Sequence, residues 1–144
     1  MSYSVDVNVL LYATDTSSPK HPEAIRFLKQ RASDPDLFCI AWSTLIAFLR
    51  ISTHPRIFAR PLSPDNALGN IESLLSLPRV RMLSEEEGFL EIYRTVTAHV
   101  PVRGNLVPDA HLAALLRQHG VGRLYTVDRD FGKFDFLEVT DPSE

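Results

Sequence analysis

A chain of 144 residues, 44% of them hydrophobic and 23% charged, suits one domain around one continuous core. The longest apolar run, around Leu37–Leu49, is broken by Ser43 and Thr44 and is too short to span a bilayer, while Asp6 and Asn8 interrupt the only stretch resembling a signal peptide. A net charge of −3 argues against nucleic-acid binding by bulk electrostatics, and the single cysteine, Cys39, excludes an internal disulfide and points to a reducing, cytoplasmic setting.

Tyr3–Val7 reads as a short buried strand, with Asp6 near its end and Asn8 just beyond. Val9–Ala13 continues as a turn or two of helix and stops at the polar stretch Asp15–Pro19. His21–Arg31 sets Ala24, Ile25, Phe27 and Leu28 against Glu23, Arg26, Lys29 and Gln30, which is helical spacing. Asp34-Pro35-Asp36 is a turn, Leu37–Ala41 a second strand, and Ser43 an expected N-cap for an apolar helix through Ile51. After the loop Thr53–Pro61, Ser63 caps a helix with Pro64 at its first position, running to about Leu77. Val80–Leu83 is a third strand. Ser84-Glu85-Glu86-Glu87 has the form of a capping box and predicts a helix to about His99. Pro108-Asp109 opens a helix over Ala110–Gln118, closed by Gly120. Leu124–Val127 is a fourth strand and Leu137–Val139 a fifth. Strands alternating with helices predict an α/β fold on a mainly parallel sheet, a single domain over residues 1–140 with a loose tail at 141–144.

The carboxylates carry the chemistry. Ligands collect at the carboxyl ends of parallel strands, where Asp6 ends the first strand and Asp128 the fourth. Asp109 sits at the start of a helix, where the dipole favours its charge. If the first and fourth strands are neighbours, these acids share one cleft, and gathered like charges call for a divalent cation. Oxygen ligands without a His or Cys cluster favour Mg²⁺ or Mn²⁺ over Zn²⁺. Each acid also fits a plainer role: Asp6 a helix cap, Asp109 an N-terminal charge, Asp128 and Asp130 turn residues before Phe131. Asn8 and Asn105 either hold carboxylates or serve turns. Thr126 is either a donor behind the carboxylates or an ordinary strand residue. His111 suits packing or hydrogen bonding better than metal ligation. Arg50, Arg56 and Arg60 lie close together, and Arg103, Arg129 and Lys133 flank the later acids. A solvated surface and a phosphate-tracking rim fit these basic residues equally well.

Four stretches in series resemble the PIN-domain family, and closely its VapC-type toxin ribonucleases of toxin–antitoxin pairs. They are Val5-Asp6-Val7-Asn8-Val9-Leu10-Leu11-Tyr12, Phe48-Leu49-Arg50-Ile51-Ser52-Thr53-His54-Pro55-Arg56-Ile57-Phe58, Pro108-Asp109-Ala110-His111-Leu112-Ala113-Ala114-Leu115 and Thr126-Val127-Asp128-Arg129-Asp130-Phe131. The resemblance implies a three-layer α/β/α sandwich and hydrolysis of RNA phosphodiesters at a Mg²⁺- or Mn²⁺-binding acid cluster. By the match, Asp6, Asp109 and Asp128 are the catalytic metal ligands and Asp130 and Asn8 are auxiliary. Arg50, Arg56 and Arg129 would then track RNA. A small cognate antitoxin and a homodimer are implied as partners, with Leu74, Leu75 and Phe89 as candidate interface residues or ordinary core. The family's further Glu is replaced here by Ala47, which argues for one well-held ion rather than two.

Two other classes are open to the same sequence. A PIN-like module that binds RNA or a partner without cutting would follow from the missing acid at Ala47. A phosphotransfer enzyme with Asp6 as nucleophile wants an acid two positions on and then a Thr, where this chain has Asn8 and Leu10.

Overall fold

The computed structural model describes residues 1–144. In chain order the elements are β1 (Ser2–Val5), α1 (Val7–Thr14), α2 (His21–Arg31), β2 (Leu37–Ala41), α3 (Trp42–Ser52), α4 (Pro64–Leu75), β3 (Val80–Leu83), α5 (Phe89–Val96), α6 (Leu106–Gln118), β4 (Arg123–Tyr125), a 3-10 turn (Arg129–Lys133) and β5 (Glu138–Thr140). The five strands form one sheet in the order β3-β2-β1-β4-β5, and every pairing is parallel. The register sets Ser4 beside Cys39 on one side and beside Leu124 on the other.

Side chains alternate across a strand, so each strand feeds two cores. Tyr3, Val5, Phe38 and Ile40 face one layer, built from Leu10, Phe27, Leu45, Phe48 and Ile71 of α1 to α4. Cys39, Ala41, Leu83 and Leu124 face the other, built from α6, from Phe131 of the 3-10 turn and from Phe134 just after it. This is the expected α/β/α sandwich. Cys39 is a small buried core residue. In α6, Ala110 and every residue from Leu112 to Leu116 are buried, so this helix is gripped nearly all round. Each fully buried leucine there contributes roughly 1.5–3 kcal/mol, which fixes the helix carrying Asp109. Gly120 then takes φ +70, the left-handed conformation that ends the helix.

Several element starts differ from expectation, each for a local reason. The first strand stops at Val5, because Asp6 is already the N-cap of α1 and accepts a hydrogen bond from the Val7 N–H at 2.7 Å. Ser43 is not a cap. The extended backbone of Ala41 opens α3 directly from β2, without a side-chain cap. The Ser84–Glu87 capping box also fails: α5 begins only at Phe89, after Gly88 in the left-handed region. Those acids are held by α6 instead. Gln118 accepts from the Glu86 N–H and donates to the Glu86 and Glu87 carbonyls, and His119 Nε2 lies 2.8 Å from the Ser84 carbonyl. Helix α5 ends at Val96 rather than near His99, and α4 at Leu75 rather than Leu77. Helix α6 starts at Leu106, two residues before Pro108, which is tolerated in a first turn where backbone N–H groups have no helical partner. Strand β4 runs Arg123–Tyr125 rather than Leu124–Val127, and β5 runs Glu138–Thr140 rather than Leu137–Val139.

Candidate metal centre

Strand β1 pairs with β2 on one side and β4 on the other, so the chain's connections diverge from β1. The crevice beyond the carboxyl ends of β1 and β4 is therefore the switch point where open α/β sheets bind ligands. Asp6 emerges from β1 into this crevice, its N–H donating to the Tyr125 carbonyl at 3.1 Å. Thr126 follows β4 and is buried. Its hydroxyl donates to Asp6 Oδ2 at 3.1 Å and accepts from the Asp128 N–H at 2.9 Å. One hydroxyl thus ties together two carboxylate residues 122 positions apart. Asp128 caps the 3-10 turn, accepting from the Asp130 N–H at 2.9 Å. Asp109 reaches the same place from the first turn of α6.

Carboxylate oxygens of Asp109, Asp128 and Asp130 lie within 4.8 Å of one another. Asp6 stands outside that tight trio but near enough to act on it. Burial, then the charges of Asp128, Asp6 and Asp130, push the Asp109 carboxyl up to about 6, and Lys133 only partly offsets them. Burial also raises Asp6, against the hydrogen bonds from Thr126 and Val7. The cluster is thus short of positive charge, presents oxygen only, and contains no Cys or His. That donor set fits a hard divalent cation.

Asp6 and Asp128 each fill the plainer role, capping a helix or turn, and each also faces the cluster. Asp130, expected as an auxiliary acid, lies on the exposed side of the same trio. Asn8 lies in the first turn of α1, half-buried, and Ala47 lies on α3 without an oxygen to offer. Asn105 precedes α6 without a side-chain cap bond. His111 points elsewhere: its Nε2 is 2.5 Å from Glu85 Oε1 and its ring meets Phe89 edge-on. Arg50, Arg56 and Arg129 are exposed. Of the two roles open to Thr126 in the sequence, the structure shows the donor behind a carboxylate. A small β-branched residue after a strand is ordinary, and only the β1–β4 pairing reveals what it bridges.

The PIN domain family model matches residues 3–137. The chain belongs to the PIN-domain family. Among curated PIN relatives, Ribonuclease VapC48 of Mycobacterium tuberculosis is 43% identical over 142 residues, covering 99% of this chain and 98% of the relative. Ribonuclease VapC37 of the same organism is 35% identical, over 96% of this chain and 95% of its own. Among solved structures, VapBC2 from Rickettsia felis, bound to a DNA fragment from its promoter, matches with a TM-score of 0.71 at 14% identity, covering 98% of each chain. Mycobacterium tuberculosis VapC20, described as a Sarcin-Ricin loop cleaving toxin, matches with a TM-score of 0.65 at 19% identity, over 96% of this chain and 98% of that one. At those identities the solved structures speak to the PIN fold alone.

Proposed function

We propose that this PIN-domain chain is a ribonuclease, the toxin of a toxin–antitoxin pair, that hydrolyses RNA phosphodiesters with Mg²⁺ or Mn²⁺ held by Asp6, Asp109 and Asp128. The carrying observation is the cluster at the β1–β4 crevice: three carboxylates within 4.8 Å and a fourth bound through Thr126. The full-length likeness to curated ribonucleases supports the reaction class. Asp130 lies close enough to serve as a further ligand or as a base for bound water. The chemistry supplied by such an ion is activation of water and neutralisation of charge at a non-bridging phosphate oxygen. The chain's own contribution is positional. The Thr126 hydroxyl fixes the Asp6 carboxylate, the Asp130 N–H fixes that of Asp128, and the buried body of α6 fixes Asp109. With Ala47 in place of an acid, one ion is the expected stoichiometry. Exposed Arg50, Arg56 and Arg129 supply phosphate contacts for unpaired RNA.

An apolar groove supports the reading of an antitoxin partner. A groove of about 670 Å³ runs among α1, α2, α3 and α4, lined by Leu10, Ile25, Leu28, Phe48, Ile71 and Leu74. An open apolar groove of this kind suits the apolar face of a partner helix. Leu74 therefore lines a concave surface, while Trp42 and Ile46, one turn apart on α3, are the exposed apolar pair offered to a second copy of the chain. No helix is long and apolar enough to cross a membrane; the proposed activity on cellular RNA is in keeping with a cytoplasmic setting.

The deciding measurement is cleavage of a single-stranded RNA by purified protein with Mg²⁺, with EDTA, and after Asp6→Asn. Chelation should stop cleavage, and the substitution should reduce it by at least about a hundredfold while the circular dichroism spectrum is retained. Full activity in the variant would refute the assignment of Asp6. A protein that binds Mn²⁺ or RNA without cutting would support the non-cutting module instead.

A further inference from the structure

Fifteen Lys and Arg side chains are distributed over this chain, and one of them reaches the acid cluster. Lys133 Nζ lies 3.5 Å from Asp130 Oδ1, and its charge also lowers the Asp109 carboxyl. Arg129, on the same 3-10 turn, has no carboxylate within ion-pair distance. The backbone under Lys133 is firmly held. Phe131 and Phe134 on either side of it are buried, and Asp128 caps the turn. The two charged ends behave differently, since both the lysine and the aspartate side chains are about half exposed. Such a pair contributes little to stability, about 0–1 kcal/mol, so exchanging its partner costs little. A flexible ammonium on a rigid base beside a phosphodiester-cleaving site is placed to serve two anions in turn.

We propose that Lys133 is a substrate-binding residue of the reaction: it rests on Asp130 in the free protein and moves to a phosphate oxygen of the RNA when a divalent cation occupies the carboxylates. The proposal rests on the metal-nuclease function given above. In the resting state the ammonium supplies part of the positive charge that the cluster lacks. With a divalent cation held by the carboxylates that charge would be supplied, and the Lys133 ammonium would be free to face the other anion in the crevice, the nucleic-acid backbone. Lys133 thus competes with the cation for Asp130 and cooperates with it in holding RNA. A purely structural ion pair would do neither.

Lys133→Gln and Lys133→Arg separate these roles when each is compared with the unmodified protein by Mn²⁺ calorimetry without RNA and by steady-state cleavage of a single-stranded RNA. Loss of the competing charge in Lys133→Gln should tighten Mn²⁺ binding by about threefold. The same variant should raise KM for RNA by roughly tenfold, the scale of a lost charged hydrogen bond, with kcat changed far less. The dependence of log kcat/KM on log salt should become shallower by about 0.7, one phosphate contact fewer on a single strand. Lys133→Arg keeps the charge and should restore KM. An unchanged KM and salt slope in Lys133→Gln, or weaker Mn²⁺ binding, would overturn the proposal. Absence of cleavage by the unmodified protein would instead sink the nuclease function, an outcome distinct from cleavage with unaltered KM.

Discussion

Arg31 and Asp6 are almost equally hidden from solvent, at 7% and 8% exposed, and their surroundings treat them in opposite ways. The Arg31 guanidinium lies 4.2 Å from the Phe27 ring centroid, 5.0 Å from Tyr3 and 5.7 Å from Tyr125. Its Nε donates to the Phe27 carbonyl at 3.0 Å, and Nη1 is 3.3 Å from Asp34. That charge meets an opposite charge and three aromatic faces where it stands, although Nη1 itself makes no hydrogen bond. Asp6 has two hydrogen-bond donors but no ion-pair partner, and the charge of Asp128 raises its carboxyl while its own charge raises that of Asp109. A buried charge that serves the fold is compensated by the fold, whereas one that serves a ligand is left in deficit for the ligand to correct.

Removing the compensated charge should have the largest effect on stability. Arg31→Ala abandons three aromatic contacts and leaves Asp34 without its partner, and urea unfolding should show a loss of about 2–4 kcal/mol. Arg31→Met retains the apolar stem and should lose under about 1.5 kcal/mol, because burying the guanidinium was itself costly. If both variants are as stable as the parent, Arg31 does not hold this corner of the fold and the contrast with Asp6 fails.

The deficient side predicts the reverse sign. In metal-free protein Asp109→Asn should be stabilising while RNA cleavage is lost. Solvent screening of a half-buried carboxylate keeps the gain near about 1 kcal/mol, or a rise of roughly 3 °C in Tm for a domain of this size. Proton linkage sharpens the point. The folded Asp109 carboxyl titrates at about 6 against 3.8 for the ordinary group, so between those values the folded chain holds a proton that the unfolded chain has released. The contribution of this group to stability therefore falls as pH climbs from about 4 to 6, and none of it remains above that window. Saturating Mn²⁺ should invert the trend, because protons and metal compete for the same oxygens. Thermal unfolding from pH 5 to 7.5 with EDTA or Mn²⁺ tests both signs. A parallel trend in the two conditions would mean that Asp109 does not meet the ion.

The acids at positions 6, 109 and 128 were legible in the sequence because each breaks an apolar pattern at an element boundary. The order of the strands was not, and the whole site depends on β1 lying beside β4. That adjacency is a tertiary fact, set by two apolar layers closing over Val5, Leu124 and Leu116, and no local spacing encodes it. The capping box at Ser84–Glu87 misled for the same reason. Its residues have good local preference for opening a helix, yet His111 and Gln118 of α6 and His119 just after it capture them instead. The nearness of Asp130 to Asp109 and Asp128 was likewise not readable from a turn before a phenylalanine; it follows from the Asp128 carboxylate turning the chain by accepting the Asp130 N–H.

The finest test of the contrast removes one oxygen. Thr126→Val keeps the shape of a buried side chain and deletes the hydroxyl that joins Asp6 to Asp128. The Asp128 N–H loses its acceptor and Asp6 Oδ2 its donor, which should cost about 1–2 kcal/mol in unfolding experiments. The Asp6 carboxylate should also become free to turn, weakening Mn²⁺ binding and cleavage by about 10-fold to 100-fold, the usual cost of losing a partner that orients a ligand. Thr126→Ser restores the hydroxyl and should recover most of both losses. If valine unfolds the protein no more easily and cleaves at the parent rate, then Asp6 is held by its burial and by the Val7 N–H alone, and the bridge between β1 and β4 is incidental to the chemistry.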